Sequence, residues 1–142
     1  MRRVRKGLLL AGLTLLALSA IATTASAQRV TKLRVITYQQ HGHRVGGNSF
    51  LVRGLLKDAT NRSNRVGRFE AKFTQRRHHR VAVRAVAVFG RAGSLKVKGI
   101  QGPGDNRLPI IGGAGAFNGA AGKLTTRDLR GNHTLLTFLF VQ

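Results

Sequence analysis

Few residues of this 142-residue chain could do acid–base chemistry, and they are scattered along it. The acids number four, namely Asp58, Glu70, Asp105 and Asp128. A hydrolytic pair of carboxylates needs two groups about 5–10 Å apart across a cleft, and nothing in the spacing of these four indicates one. The chain has no cysteine, which excludes thiol nucleophiles and thiolate metal sites. We therefore predict no catalytic side chain from the sequence.

The five histidines are the remaining candidates for chemistry. They occur as His41-x-His43, as the adjacent pair His78-His79, and as His133 near the end of the chain. They could bind a metal only if they met in space. All of them lie near predicted loops or strand ends, where a solvated side chain is the usual explanation, so we predict neither a metal site nor a cofactor.

The glycine-rich stretch 108–122, LPIIGGAGAFNGAAG, suggests phosphate binding but does not match either phosphate motif. A dinucleotide fingerprint would need glycine where Asn118 stands, and a P-loop would need glycine at Phe117 and Ser or Thr at Leu124. The residues that follow alternate like a strand rather than forming a helix. We predict instead that these glycines let a strand bend sharply and turn, with Phe117 filling the inside of the bend.

Basic residues dominate the charge, since 25 Lys and Arg face four acids and the formal net charge is +21. Arg76, Arg77 and Arg80 form the densest cluster, in a predicted loop, and are our sequence candidates for a patch that docks anions. A solvated turn explains them equally well. Specific nucleic-acid binding is not predicted, because seven Phe, one Tyr and no Trp leave few aromatics for base stacking.

The elements that must position these residues alternate apolar and polar side chains, as strands with one buried face do. Eight candidate strands are separated by turn-rich segments, so the fold class predicted is all-β, an eight-stranded antiparallel β-barrel. Segment 79–89 is apolar on both faces, so its outer face would meet a neighbouring subunit or an overlying loop. The predicted strands span 30–38, 49–57, 66–75, 79–89, 94–100, 109–116, 123–128 and 134–141.

The first 27 residues resemble a secretory signal peptide. Four basic residues precede an apolar run, and Ala25-Ser26-Ala27 supplies a small-x-small cleavage site before Gln28. An uncleaved membrane anchor is the alternative. We predict secretion after cleavage behind Ala27, leaving residues 28–142 as a single barrel domain. That domain has 21 basic and four acidic residues, a formal charge of +17.

Several spaced motifs resemble the allene oxide cyclase barrel-like and dirigent-like proteins. Those families read approximately GGTGxFxGARG where this chain reads GGAGAFNGAAG, and segments 58–62, 66–70 and 93–99 resemble earlier family strands. The resemblance implies an eight-stranded barrel, often a homotrimer, with an apolar pocket that holds a small molecule. The family's structural positions match at Gly112, Gly113, Gly115, Phe117, Gly119 and Gly122.

The chain also departs from the family where the family places its polar groups. Ala114 replaces the motif threonine, Ala121 replaces the motif arginine, and the early strand 33–37 has no acid. We therefore expect a secreted barrel that binds or orients a small apolar molecule or reactive intermediate, with Tyr38, Phe69 and Phe73 in the pocket by strand phase. Two alternatives remain, a cyclase or isomerase acting on a lipid-derived epoxide, and a cationic structural or defence protein that binds anionic cell-surface polymers or lipid.

Overall fold

The computed structural model describes residues 28–142, which form eight β-strands. The predicted signal peptide, residues 1–27, lies outside the described residues. No helix long and apolar enough to cross a membrane occurs in the described part of the chain. The strands are β1 (Val30–Gly46), β2 (Ser49–Asp58), β3 (Arg65–Gln75), β4 (Val81–Phe89), β5 (Gly93–Gln101), β6 (Arg107–Gly115), β7 (Ala121–Leu129) and β8 (His133–Val141).

The strands close into a barrel in which each strand pairs with its neighbours in the sequence. Every pairing is antiparallel, and β1 closes the barrel against β8 from Val30 opposite Val141 to Ile36 opposite Leu135. Closure removes the free edges over most of the sheet, which protects a chain rich in β-forming residues from edge-to-edge association. The predicted fold class, an eight-stranded antiparallel barrel, is confirmed.

Side chains alternate between the inner and outer faces along each strand, and the inward-facing apolar side chains fill the interior of the barrel. On β4, for example, Val83, Ala87 and Phe89 are buried in the core whereas Arg84 is exposed. The same core includes buried residues from every strand except β3 and from the β6–β7 turn, and Phe69 and Phe73 of β3 pack against it. Its buried members are Val35, Leu56, Val83, Ala87, Phe89, Leu95, Val97, Leu108, Ile110, Ala120, Leu124, Phe138 and Phe140.

Two of the boundaries that differ from the sequence prediction have a clear structural cause. Strand β1 continues to Gly46, although 41–48 looked like a turn, because residues 41–46 pair with the beginning of β2. A register shift between Tyr38 and His41 interrupts this pairing, as a β-bulge does. Strand β4 begins at Val81 rather than at His79, because His78 and His79 form the turn that joins it to β3.

Candidate functional site

One end of the barrel is closed by aromatic rings. The β6–β7 turn carries Phe117 onto the core, where its ring centroid lies 5.3 Å from that of Phe89 and 5.9 Å from that of Phe140. Phe89 in turn meets Phe138 edge to face at 6.0 Å. These separations are those of favourable aromatic pairs. Packed aromatic rings therefore occupy the interior at this end of the barrel.

The glycines of the 108–122 stretch allow this closure. Gly115 has a φ of +63°, and a Cβ there would lie 2.6 Å from the carbonyl oxygen of Ala92. A Cβ at Gly122 would lie 2.0 Å from the carbonyl oxygen of Leu139. Close backbone approach and a left-handed conformation, not a ligand, therefore account for glycine at these two positions.

At the opposite end of the barrel, aromatic side chains on the inner face remain partly exposed. Phe50 pairs directly with Phe73, and Phe73 pairs with buried Val83, so the three side chains share the inner face. Phe73 is only half-buried, and Phe50 is 41% exposed. We call this end the mouth, and define it by Arg44, Phe50, Val52, Phe73 and Val81.

Arg44 gives the mouth a polar group beside its aromatic surface. It lies opposite Phe50 in the β1–β2 register, and its guanidinium carbon is 5.4 Å from the centroid of the Phe50 ring. This is the geometry of a cation–π contact. A ligand entering the mouth would meet an aromatic face with a cation stacked on it.

The polar side chain buried beneath the mouth is already satisfied by hydrogen bonds. Thr37 is 2% exposed, and its hydroxyl oxygen accepts a hydrogen bond at 2.9 Å from the backbone N–H of Thr134. The side-chain amide of Gln40 also donates to that oxygen. It is the one polar side chain in the buried core of the described residues. The interior that residues 28–142 enclose is accordingly apolar.

The three predicted pocket residues do not lie together. Phe69 and Phe73 pack against the core from β3. Tyr38 lies on the outer face, because Thr37 beside it pairs with core residue Leu56 and successive side chains alternate. The prediction that Tyr38 faces the interior is therefore wrong.

Tyr38 belongs instead to a small cluster outside the barrel. Its ring centroid is 4.2 Å from that of His133, and the ammonium nitrogen of Lys57 lies 4.4 Å above the Tyr38 ring. The Nδ1 of His133 is 3.0 Å from the carbonyl oxygen of Thr37. This hydrogen bond holds the imidazole in place against β1.

The four acids serve turns and the surface. Asp58 accepts hydrogen bonds from the hydroxyl and backbone N–H of Thr60, which together with a bond from the Asn61 N–H lower the pKa of the Asp58 carboxyl. Asp105 accepts from the backbone N–H of Gly102. Glu70 pairs with Arg53 at 2.7 Å, and Asp128 lies 3.5 Å from the hydroxyl of Thr134 at the mouth end of β7.

The histidines are the other candidates for chemistry. Among residues 28–142, no group of three or more His, Cys, Asp or Glu is placed to hold a metal ion. His41 and His43 lie on the outer face of β1, opposite Arg53 and Leu51 of β2.

Arg76, Arg77 and Arg80, the sequence candidates for an anion patch, lie in the exposed β3–β4 turn. They border a shallow concavity of about 680 Å³ together with Ile100. A second concavity, of about 780 Å³, lies on the outer face of β2, β3 and β4, and sequence reasoning did not identify it. Its residues come from three strands, and the register that brings them together cannot be predicted from the sequence of any one strand.

Comparisons with known proteins show the fold. No protein-family model matches the sequence, and no curated protein matches it significantly. A solved structure described as pyocyanin demethylase aligns with a TM-score of 0.60 at 15% identity, covering 80% of this chain and 100% of that one.

A second solved structure is described as a nonspecific heme-binding cyclase that catalyses a [4 + 2] cycloaddition during neoabyssomicin biosynthesis. It aligns with a TM-score of 0.57 at 13% identity, covering 87% of this chain and 72% of that one. At such low identity the likeness concerns the fold alone. This chain is thus a closed, single-layer β-barrel of the kind found in these two proteins.

Proposed function

We propose that this barrel binds a small, flat, apolar molecule at its mouth and orients it. The observation that carries the proposal is the pair Phe50 and Phe73, which share the inner face with buried Val83 but remain partly exposed. Partly exposed apolar surface at inward-facing positions is typical of ligand sites. Fully burying an exposed aromatic side chain is worth about 1.5–3 kcal/mol, and a ligand that covers the exposed part of Phe50 gains a fraction of that.

The names of the two similarly folded proteins agree with this proposal, since one is named for demethylating pyocyanin and the other for a cycloaddition. The finer proposal is that the chain acts as allene oxide cyclase-like and dirigent-like barrels do, by steering a reactive intermediate. The motif at 108–122 supports it. Ala114 and Ala121, which replace that family's polar motif residues, favour orientation over proton transfer, so we do not propose a cyclase or isomerase.

Export remains part of the proposal. A secreted barrel would meet its ligand outside the cell, and the predicted cleavage behind Ala27 supports this. N-terminal sequencing of protein from the medium should then give Gln28 as the first residue. Protein that keeps Met1 in the membrane fraction would instead support the anchor alternative.

The binding proposal can be tested with the neutral fluorophore N-phenyl-1-naphthylamine, which avoids attraction by the positive charge of the barrel. We expect the probe to bind the wild-type protein, and Phe50→Ala and Phe73→Ala each to weaken binding about tenfold or more, following the loss of buried apolar contact. Tyr38→Ala is the matched control, because it removes an aromatic ring from the outer face and should leave binding unchanged.

Circular dichroism would verify that each variant keeps its fold. Phe50 is the more informative position, because it is the most exposed aromatic of the mouth and its removal should disturb the core least. Equal losses in Tyr38→Ala and Phe50→Ala, or no binding by the wild type, would contradict the proposal.

A further inference from the structure

Three cations lie in one row across the outer face of the barrel. Lys72 on β3 pairs directly with Arg84 on β4, and Arg84 pairs directly with Lys98 on β5. All three side chains are exposed. We call these three residues the cation ladder. Like charges directly opposite each other destabilise a sheet, so the ladder has a cost that a bound anion would offset.

No carboxylate neutralises the ladder within the described residues. Their one salt bridge joins Arg53 to Glu70 at 2.7 Å, so the nearest acid on β3 is already paired toward β2. The neighbouring row consists of Glu70, Val86 and Lys96, so it adds one cation and this one acid, which Arg53 already neutralises. The outer face of β3–β5 is therefore a nearly unopposed positive surface.

This surface is also concave. The 780 Å³ concavity is bordered by Lys72 and Arg84 of the ladder, and Val86 and Val88 form part of its lining. Its one aromatic residue, Phe69, packs against the core. A ligand in the concavity would thus find cations, aliphatic side chains, the exposed imidazole of His41 and the Glu70 carboxylate, which is paired with Arg53. It would find no exposed Phe, Tyr or Trp ring on which a nucleobase could stack.

A second copy of this chain is a poor occupant for the concavity. Pairing two such faces would bring cations against cations at short range, which is unfavourable in any low-dielectric contact. The charge complementarity instead requires an anionic partner.

We propose that the cation ladder and its concavity bind a linear phosphodiester polymer through backbone charge. Neighbouring strands lie about 4.7–4.9 Å apart, so the three cations form a line across the sheet that an extended chain of phosphates can follow. Both Lys and Arg bind phosphate oxygens through charge-assisted hydrogen bonds. Val86 and Val88 would contact the carbon atoms between phosphates. The site is separate from the mouth and does not depend on the function proposed for it.

The test uses fluorescein-labelled poly(glycerol phosphate), which has phosphodiester groups and no base. The triple variant Lys72→Gln, Arg84→Gln, Lys98→Gln is compared with the triple variant Arg76→Gln, Arg77→Gln, Arg80→Gln. Both remove three positive charges, but only the first removes the ladder. Fluorescence anisotropy at several salt concentrations gives the affinity and its salt dependence.

We expect the ladder variant to lose about tenfold or more in affinity at 0.15 M salt. The slope of log K against log salt should fall by about 2, because each lost phosphate contact contributes roughly 0.7 for a single-stranded polyanion. The turn variant should keep the wild-type slope. Replacing Lys72 and Lys98 by Arg and Arg84 by Lys keeps the three charges and should keep the binding.

Equal losses in the two triple variants would mean that binding follows net charge alone and would overturn the proposal. Polygalacturonate of matched charge bound as tightly and with the same dependence on the ladder would overturn the choice of phosphodiester. The thermal midpoint of the ladder variant provides the folding control, and we expect it to be no lower than that of the wild type, since the substitutions relieve like-charge repulsion.

Discussion

At the scale of single residues, two adjacent histidines have a backbone conformation that their side chains disfavour. His78 and His79 have φ values of 60° and 56°. They form the tight turn between β3 and β4, where the backbone N–H of Arg76 donates to the carbonyl of Arg80 at 2.7 Å. This bond closes a three-residue loop, 77–79, and its last two residues have the left-handed conformation that Gly and Asn tolerate better than other residues.

Replacing His78-His79 by Asn-Gly should therefore stabilise the protein. We expect a gain of about 1–2 kcal/mol in the free energy of unfolding, because the left-handed conformation costs most side chains about that much and costs Asn and Gly less. Urea unfolding measures the change. The matched control is Ala-Ala, which removes both imidazoles and keeps the disfavoured conformation, so it should give no gain. A comparable gain from Ala-Ala would indicate that the imidazoles, not the backbone, limit stability here.

At the scale of elements, the bend at the end of β6 depends on Gly115, and a second glycine provides a close comparison. Gly115 and Gly104 both have positive φ, at +63° and +78°. A Cβ at Gly115 would lie 2.6 Å from the Ala92 carbonyl oxygen, whereas a Cβ at Gly104 would meet nothing within 4 Å. The two positions thus share the conformational requirement and differ in steric room.

We expect Gly104→Ala to cost about 1–2 kcal/mol of unfolding free energy, from the conformation alone. Gly115→Ala should cost clearly more, and Gly115→Val should leave the protein unfolded or aggregated, since the β4–β5 and β6–β7 turns would be forced apart. Thermal unfolding followed by circular dichroism compares the three variants. If Gly115→Val unfolded at the same temperature as the wild type, the bend at Gly115 would not be required for barrel closure.

The strands also differ in how well the sequence predicted which side chains face the interior. Strands such as β3 were predictable because Phe69, Ala71 and Phe73 alternate with charged residues. Strand β1 was predicted as a strand, but its inner face could not be read from the pattern, because Val35 and Ile36 are both buried, at 1% and 2% exposure, and apolar residues occupy both phases. That ambiguity placed Tyr38 on the wrong face.

The mouth and the cation ladder escaped sequence reasoning for a different reason. Phe50 has the inner phase of β2, which alternation could have indicated, but Arg44 joins it only because β1 extends past a bulge. The ladder exists only through the register of three strands, and register is a property of pairing rather than of one segment. Local patterns therefore predicted the barrel and missed the surfaces that pairing creates.

At the scale of the whole molecule, few of the positive charges are neutralised by nearby acids. Residues 28–142 carry a formal charge of +17, and one salt bridge, Arg53 with Glu70, occurs within them. Mutual repulsion of so many cations destabilises a compact state. The same repulsion opposes association through the outer face of β3–β5, so the homotrimer that the family resemblance implies stays a prediction and would need another face.

Salt should consequently stabilise this protein. The Debye length shortens from about 30 Å at 0.01 M to about 8 Å at 0.15 M ionic strength, which screens the repulsion between distant cations. The attraction lost by screening is small, because the one salt bridge is exposed and contributes little to stability. We expect the free energy of unfolding to rise by about 1 kcal/mol or more over that range, measured by urea unfolding in NaCl. A variant with both triple Gln sets, six charges fewer, should show a smaller rise. Stability that falls with salt in the wild type would mean that attractive pairs outweigh repulsion.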